Sequence, residues 1–346
     1  MAGFREYSPF YGFLKIKTCF HFCILLLIVY KFLIKRVLYV LEPQYCENTW
    51  EERKMSTFGL WWFKWNGSNY ESRMKVGSRE ATVQDFKNRG FDYLVTADST
   101  PFNGAYLSGE GSGIEFSGHL YDNGYTDGRK LATFLKNNLQ GIEYLAPIPY
   151  YKYKTPSNIE NARDYWRGLS YTYGWIDGVV SVDSPYLGGF YWDLENPTQT
   201  YGTSRYISTF ELNAIRGRIL ENDREYGLEL KFTWVPTLRG RSVSQLEAFK
   251  QYIMEAAEYF DYVFFQPHYY QCQNCSIEDL ESLLEWLYNF HGEINNVYVE
   301  FEADKAVCGE YENCGCGTGQ CCISKACEYS EVIQLNSYNE LVQYKA

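Results

Sequence analysis

Seven times between residues 56 and 304, a short apolar run rich in β-branched and aromatic residues is followed by a longer stretch suited to a helix, and this alternation points to a fold built from parallel strand-helix units. The strand candidates are STFGLWW (56–62), FDYLVTAD (91–98), IEYLAPIPY (142–150), GGFYWDLE (188–195), LKFTWVP (230–236), FDYVFFQP (260–267) and NVYVEFEAD (296–304). Helices are expected over 126–139, 159–171, 204–226, 242–259 and 277–290. Ser276 precedes Ile277 with Asp279 three residues on, close to a capping box, while Gly141 and Gly227 stand where helices should close. Seven or eight units in about 290 residues match an α/β fold of the (β/α)8 TIM-like barrel type. An eighth, irregular strand would fall near 332–335. The rival is a doubly wound open sheet, but no G-x-G-x-x-G follows the first strand and no G-x-x-x-x-G-K-[ST] occurs, so no nucleotide cofactor, or any other, is indicated.

In a barrel, catalytic groups come from the C-terminal ends of the strands, and acidic and aromatic residues collect there. Asp98 ends the second strand, and Gln266 and His268 end the sixth. Side chains alternate along a strand, so Tyr191, Asp193 and Glu195 share one face, as do Tyr298, Glu300 and Glu302. Pointing outward would bury carboxylates against helices at considerable cost, which favours the barrel mouth. Two carboxylates on facing walls of one mouth equip a site for glycoside hydrolysis, one giving a proton to the leaving oxygen and the other attacking or activating water. Glu195 and Glu300 are the expected catalytic pair. Substrate contacts are expected from Trp62, Asp98, Tyr191, Asp193, Trp234, Gln266, His268, Tyr269 and Glu302, with no metal. Aromatics make up 18% of the chain, more than a core needs, and such rings also stack on sugars. Two other readings stand beside this one: a non-catalytic carbohydrate-binding or adhesion barrel, and a lumenal glycosyltransferase in which Asp193-Leu194-Glu195 mimics a metal-binding D-x-D. The glycine-rich stretch 103–118 suits a loop on the active face. The net charge of −11 excludes a nucleic-acid partner, which needs clustered Lys and Arg.

The N-terminus reads differently. Thirteen uncharged residues, 18–30, are flanked by Lys15, Lys17 and Lys31; extended to Leu41, the segment 18–41 is expected to be an uncleaved signal anchor behind a short tail, 1–17. Basic residues balance across it, so cysteines must orient it. Nine of the eleven follow the apolar run, six of them in 308–327 within a cysteine-rich insert, 305–329, and disulfides in an oxidising compartment are expected there. The sequons at Asn66 and Asn274 lie on the same side. The expected topology is single-pass type II, with the body, 46–346, lumenal or extracellular.

The runs GFYWDLE, FTWVP, FFQPHYY and VYVEFEAD resemble, in order and spacing, those of an uncharacterised glycosidase-like barrel family, domain of unknown function 4855. Glu195, Trp234, Pro236, Gln266, Pro267, Tyr269 and Glu300 match its motifs, while Thr237, His268 and Glu302 replace its Tyr, Asn and Asp. The placement of Glu195 and Glu300 is also similar to that in retaining glycosidases, whose acid/base Glu ends the fourth strand and whose nucleophile Glu ends the seventh. The resemblance implies the barrel, a saccharide substrate, Glu195 as acid/base and Glu300 as nucleophile.

Overall fold

A computed structural model describes residues 58–98, 113–149, 167–202, 205–238, 241–267, 269, 275–300, 328 and 332. The chain divides into two compact units, one of Met1–Met55, Tyr269–Cys275 and Ala303–Leu335, the other of Ser56–His268, Ser276–Glu302 and Asn336–Ala346. The expected anchor, the cysteines of the insert and the sequon at Asn274 lie outside the described residues; no described helix is long and apolar enough to cross a membrane. In the first unit Cys275 is disulfide-bonded, and Val332, expected to begin an eighth strand, is helical.

The second unit carries the strand-helix alternation. In chain order its elements are β1 (Phe58–Trp65), β2 (Tyr70–Ser72), β3 (Lys75–Val76), β4 (Arg79–Glu80), α1 (Val83–Lys87), β5 (Tyr93–Asp98), α2 (Tyr121–Asn138), β6 (Glu143–Ile148), α3 (Gly168–Val180), β7 (Leu187–Trp192), α4 (Thr209–Tyr226), β8 (Lys231–Trp234), α5 (Val243–Ala257), β9 (Tyr262–Phe265), α6 (Ile277–Ile294) and β10 (Val297–Val299). The main sheet has eight strands in the order β10-β9-β8-β7-β6-β5-β1-β2, all parallel except β2, which returns antiparallel from β1. The eighth strand of the sheet is therefore this hairpin partner, which the alternation did not foretell. Helices begin where side-chain oxygens can hold free backbone N–H groups: Ser208, Ser242 and Ser276 each accept from the residue three on, forming capping boxes.

The sheet is rolled. In a flat sheet β9 and β1 would stand roughly 24 Å apart, five strand spacings of about 4.8 Å, yet the rings of Phe58 and Phe264 meet at 5.7 Å. Tyr93, Val95, Ala97, Leu145, Tyr191, Val235 and Phe264 fill the concave side as one buried cluster. Among the described residues no ladder joins β10 to β1. The convex side is equally apolar: Trp61 packs on Phe86 of α1, and Phe265 on Trp286 and Phe290 of α6. A register shift between β6 and β7 skips Gly188 and aligns Leu145 with Gly189, where a Cβ would lie 2.0 Å from the Lys231 carbonyl.

Helices α2 and α3 touch backbone to backbone. Gly124 and Gly128 face the carbonyls of Tyr171 and Trp175, while Gly174 and Gly178 face those of Tyr121 and Tyr125; a Cβ at any of them would come within 2.4 Å of backbone oxygen. Asp177 of α3 adds a polar pin, accepting from Tyr121 of α2 at 2.5 Å and from Arg218 Nε and Asn222 Nδ2 of α4 at 2.8 Å each. Gly217, also helical, has nothing among the described residues within 4 Å of its would-be Cβ. Denaturant unfolding should therefore show Gly174→Ala destabilised by about 3 kcal/mol or more, whereas Gly217→Ala gains about 0.5–1 kcal/mol of helix propensity.

Candidate functional site

Because the strands run parallel, their C-terminal ends share one rim, and the acidic residues expected there arrive from β5, β7 and β10. Asp98 ends β5. Asp193 and Glu195 follow the end of β7, and the Tyr191 hydroxyl donates to Glu195 Oε1 at 2.8 Å, which places the side chains of Tyr191 and Glu195 together. Main-chain bonds tie the ends of β7 to β10 together: Thr237 N–H donates to the Glu195 carbonyl, Gln266 N–H to Pro236, Leu238 N–H to Gln266, and Glu300 N–H to Phe265, at 2.9–3.0 Å. Gln266 also hydrogen-bonds the Glu300 side chain.

Removal from water governs the chemistry of this rim. The Asp193 residue is 8% exposed, and its Oδ2 is buried without a hydrogen bond among the described residues. Burial first, then the charges of Asp98 and Glu195, drive its carboxyl well above the usual range, with Arg167 opposing. Glu195 is raised by burial, against the hydrogen bond from Tyr191. Glu300 is pushed up to about 8 by burial and then by the Glu195 charge, with Gln266 offsetting part of it; its Oε2 is enclosed without a partner among the described residues. Burial thus raises both carboxyls, with the Tyr191 hydroxyl working against it at Glu195 and the Glu195 charge adding to it at Glu300.

Other expected residues are placed as follows. Trp62, on the concave face of β1, is 39% exposed. Trp234 does not face the rim: fully buried, it stacks on Phe260 at 5.2 Å and donates to the Leu194 carbonyl at 2.9 Å, because its strand position points to the helices. A sugar-stacking role for Trp234 is therefore corrected to core packing. Tyr269 belongs to the first unit, where its hydroxyl bonds Glu328. His268 and Glu302 lie outside the described residues. Arg167 escaped the sequence reading; it precedes α3, is 3% exposed and lies over the rings of Phe116 and Tyr171 at 5.2 and 5.8 Å. The signal was present as the only basic residue in the run 164–180. Among the described residues no three His, Cys, Asp or Glu side chains gather as a ligand set for a metal.

A carboxyl that binds its proton more tightly folded than unfolded stabilises the fold fully at low pH and ceases to as the pH climbs from 4.5 through about 8. Over that interval Glu300 should contribute a fall of up to about 1.4 kcal/mol per pH unit. Thermal or denaturant unfolding across about pH 5–9 should show Glu300→Gln flattening this slope and gaining stability at the alkaline end.

No protein-family model matches the chain, so the likeness to domain of unknown function 4855 rests on its four motifs alone. Solved structures similar to it include a family 18 chitinase from Crocus vernus (8% identity, TM-score 0.35, 70% of this chain and 78% of that one) and a group IV chitinase from Ostrinia furnacalis (11%, 0.36, 69% and 64%). A β-glucuronidase from Bacteroides uniformis (11%, 0.41) overlaps 80% of this chain but 31% of its own. Scores this low bear on neither mechanism nor substrate. The sequence relationship is firmer, with 30% identity over 332 residues to the uncharacterized protein MJ0957 of Methanocaldococcus jannaschii, covering 84% of this chain and 86% of that protein, and the chain belongs to the family of that protein.

Proposed function

We propose that the second unit is a (β/α)8-type barrel acting as a retaining glycoside hydrolase on an oligo- or polysaccharide, with Glu300 as acid/base and Glu195 as nucleophile. The observation that carries this reading is two buried carboxyls in unlike surroundings at one rim: Glu300, whose Oε2 is enclosed without a partner among the described residues, and Glu195, whose Oε1 accepts the Tyr191 hydroxyl. Glycosidic cleavage needs such a pair, because the leaving oxygen must take a proton while an anion or activated water attacks the anomeric carbon. The roles are the reverse of those that strand position implies, since burial raises both carboxyls but the Glu195 charge raises Glu300 further while the Tyr191 hydroxyl offsets the rise at Glu195. Asp193 and Asp98 then hydrogen-bond sugar hydroxyls, and Trp62 offers a half-exposed ring for a pyranose face.

A panel of aryl glycosides and polysaccharides tests the assignment. Glu300→Gln should lose about 10²–10⁴-fold on substrates with poor leaving groups and far less on activated ones. Glu195→Ala should lose turnover on all of them and regain it with azide, giving the product of inverted configuration. Azide rescue with inversion in Glu300→Ala would return the roles to the strand-position assignment. Sugar binding without turnover, unchanged in Glu195→Gln, would favour the non-catalytic binding reading.

We also propose that this body lies on the non-cytosolic side of a membrane anchor at 18–41. Asn66 supports this as an acceptor site. It stands exposed at the β1–β2 turn, its Oδ1 accepting from the N–H groups of Ser68 and Asn69 at 3.0 and 2.9 Å. Expressed in a secretory host, the chain should lose mobility-retarding mass on amidase treatment, and Asn66→Gln should remove part of that shift. A body open to cytosolic protease, with no shift, would reverse the topology.

A further inference from the structure

On the helix side of the sheet, where the β1–β2 hairpin meets α2, a groove of about 540 Å³ opens to solvent. Trp65 follows Trp61 and Phe63 in phase along β1, so it faces away from the concave side on which Trp62 lies. Its ring packs on Tyr70 at 5.0 Å, and Tyr70 packs on Phe134 at 6.0 Å, giving the groove an aromatic floor. One face of α2 forms the wall: Thr126, Arg129, Lys130, Thr133 and Asn137 recur at intervals of three or four residues. The opposite lip, Ser68 and Asn69, is held in shape by their N–H groups donating to the side-chain Oδ1 of Asn66.

The charge of this groove runs against the molecule's. The chain carries a net charge of −11, yet the charged residues lining the groove are Arg129 and Lys130, with no acid. Lys130 is engaged, bonding Glu115 Oε1 at 2.7 Å with its ammonium 5.6 Å from the Trp65 ring centre, and so it braces the aromatic floor. Arg129 is exposed and forms no ion pair among the described residues. Five uncharged polar side chains, Ser68, Asn69, Thr126, Thr133 and Asn137, complete the lining.

We infer that this groove binds an acidic saccharide, its pyranose ring against Trp65 and its carboxylate or sulfate on Arg129. The chemistry of each part selects that class. A flat guanidinium pairs two oxygens of a carboxylate or sulfate at once, aromatic rings take the apolar face of a sugar, and amides and hydroxyls exchange hydrogen bonds with sugar hydroxyls. Two cations are too few for a nucleic-acid backbone, whose binding draws on many phosphate contacts. The site is separate from the proposed catalytic rim, and none of the four rim carboxyls lines it.

Calorimetric titration of the full-length chain with tetragalacturonate, a sulfated heparin tetrasaccharide and neutral cellotetraose tests the inference. One or both acidic probes should bind more tightly than cellotetraose, and which of them binds identifies the anion. Arg129→Glu should weaken that binding by about tenfold or more, and Asn137→Ala should weaken it by less; both residues are exposed, so the fold should tolerate the changes. Glu300→Gln should leave it unaltered, which separates this site from the rim. Equal binding of cellotetraose, equal binding of ring-free polyglutamate, no binding of either acidic probe, or an Arg129→Glu variant of unchanged affinity would overturn the inference.

Discussion

Everything in the second unit follows from the rolling of its parallel sheet around an apolar filling. Tyr93, Val95, Leu145, Tyr191 and Phe264 come from different strands and bury one another, and Phe58 closes on Phe264 across what would otherwise be the sheet's full width. Burying such surface contributes about 25 cal/mol per Å², and a flat sheet would leave that face wet. Once the sheet rolls, parallel strand ends crowd a single rim. Asp98, Asp193, Glu195 and Glu300, separated by up to two hundred positions in the chain, then share one desolvated neighbourhood.

That crowding opposes stability. Desolvated carboxyls repel each other, and each shifted pKa marks free energy by which the folded state disfavours charge. The opposing stabilisation lies elsewhere: in the glycine-mediated contact of α2 with α3, in the Asp177 hub joining α2, α3 and α4, and in the aromatic packing of Trp234, Phe260 and Phe232 beneath the rim. Strain concentrated at one site and held by a rigid surround is the usual arrangement where chemistry needs a perturbed acid. Arg167 fits the same logic, a buried cation whose charge reaches Asp193 while its plane rests on two aromatic rings.

Where sequence reasoning missed, tertiary packing had overridden local preference. Most of the helix expected over 159–171 lies outside the described residues, and the described helix α3, Gly168–Val180, runs nine residues past its expected end. Its three interior-facing peculiarities, Gly174, Gly178 and a run of aromatic residues, argue against a helix by propensity, each helical Gly being disfavoured by about 1 kcal/mol relative to Ala. They are required because α2 leaves no room for a Cβ. Trp234 was read as a ligand platform because it stands in a strand-end motif; one residue of phase places it under the helices instead. The β1–β2 hairpin escaped notice since its second strand has three residues and no apolar alternation of its own.

By itself the sequence determined the periodic elements and the faces they present: seven parallel strands, their order along the chain, and the shared phase of Tyr191, Asp193 and Glu195, because strand alternation and helical periodicity are local properties. Only the tertiary structure decided how far the sheet rolls, how deeply each acid is buried, and that a buried arginine and an outer cationic groove exist. Those depend on distance and desolvation between residues remote in sequence, and pKa shifts and grooves arise from the arrangement of groups in space.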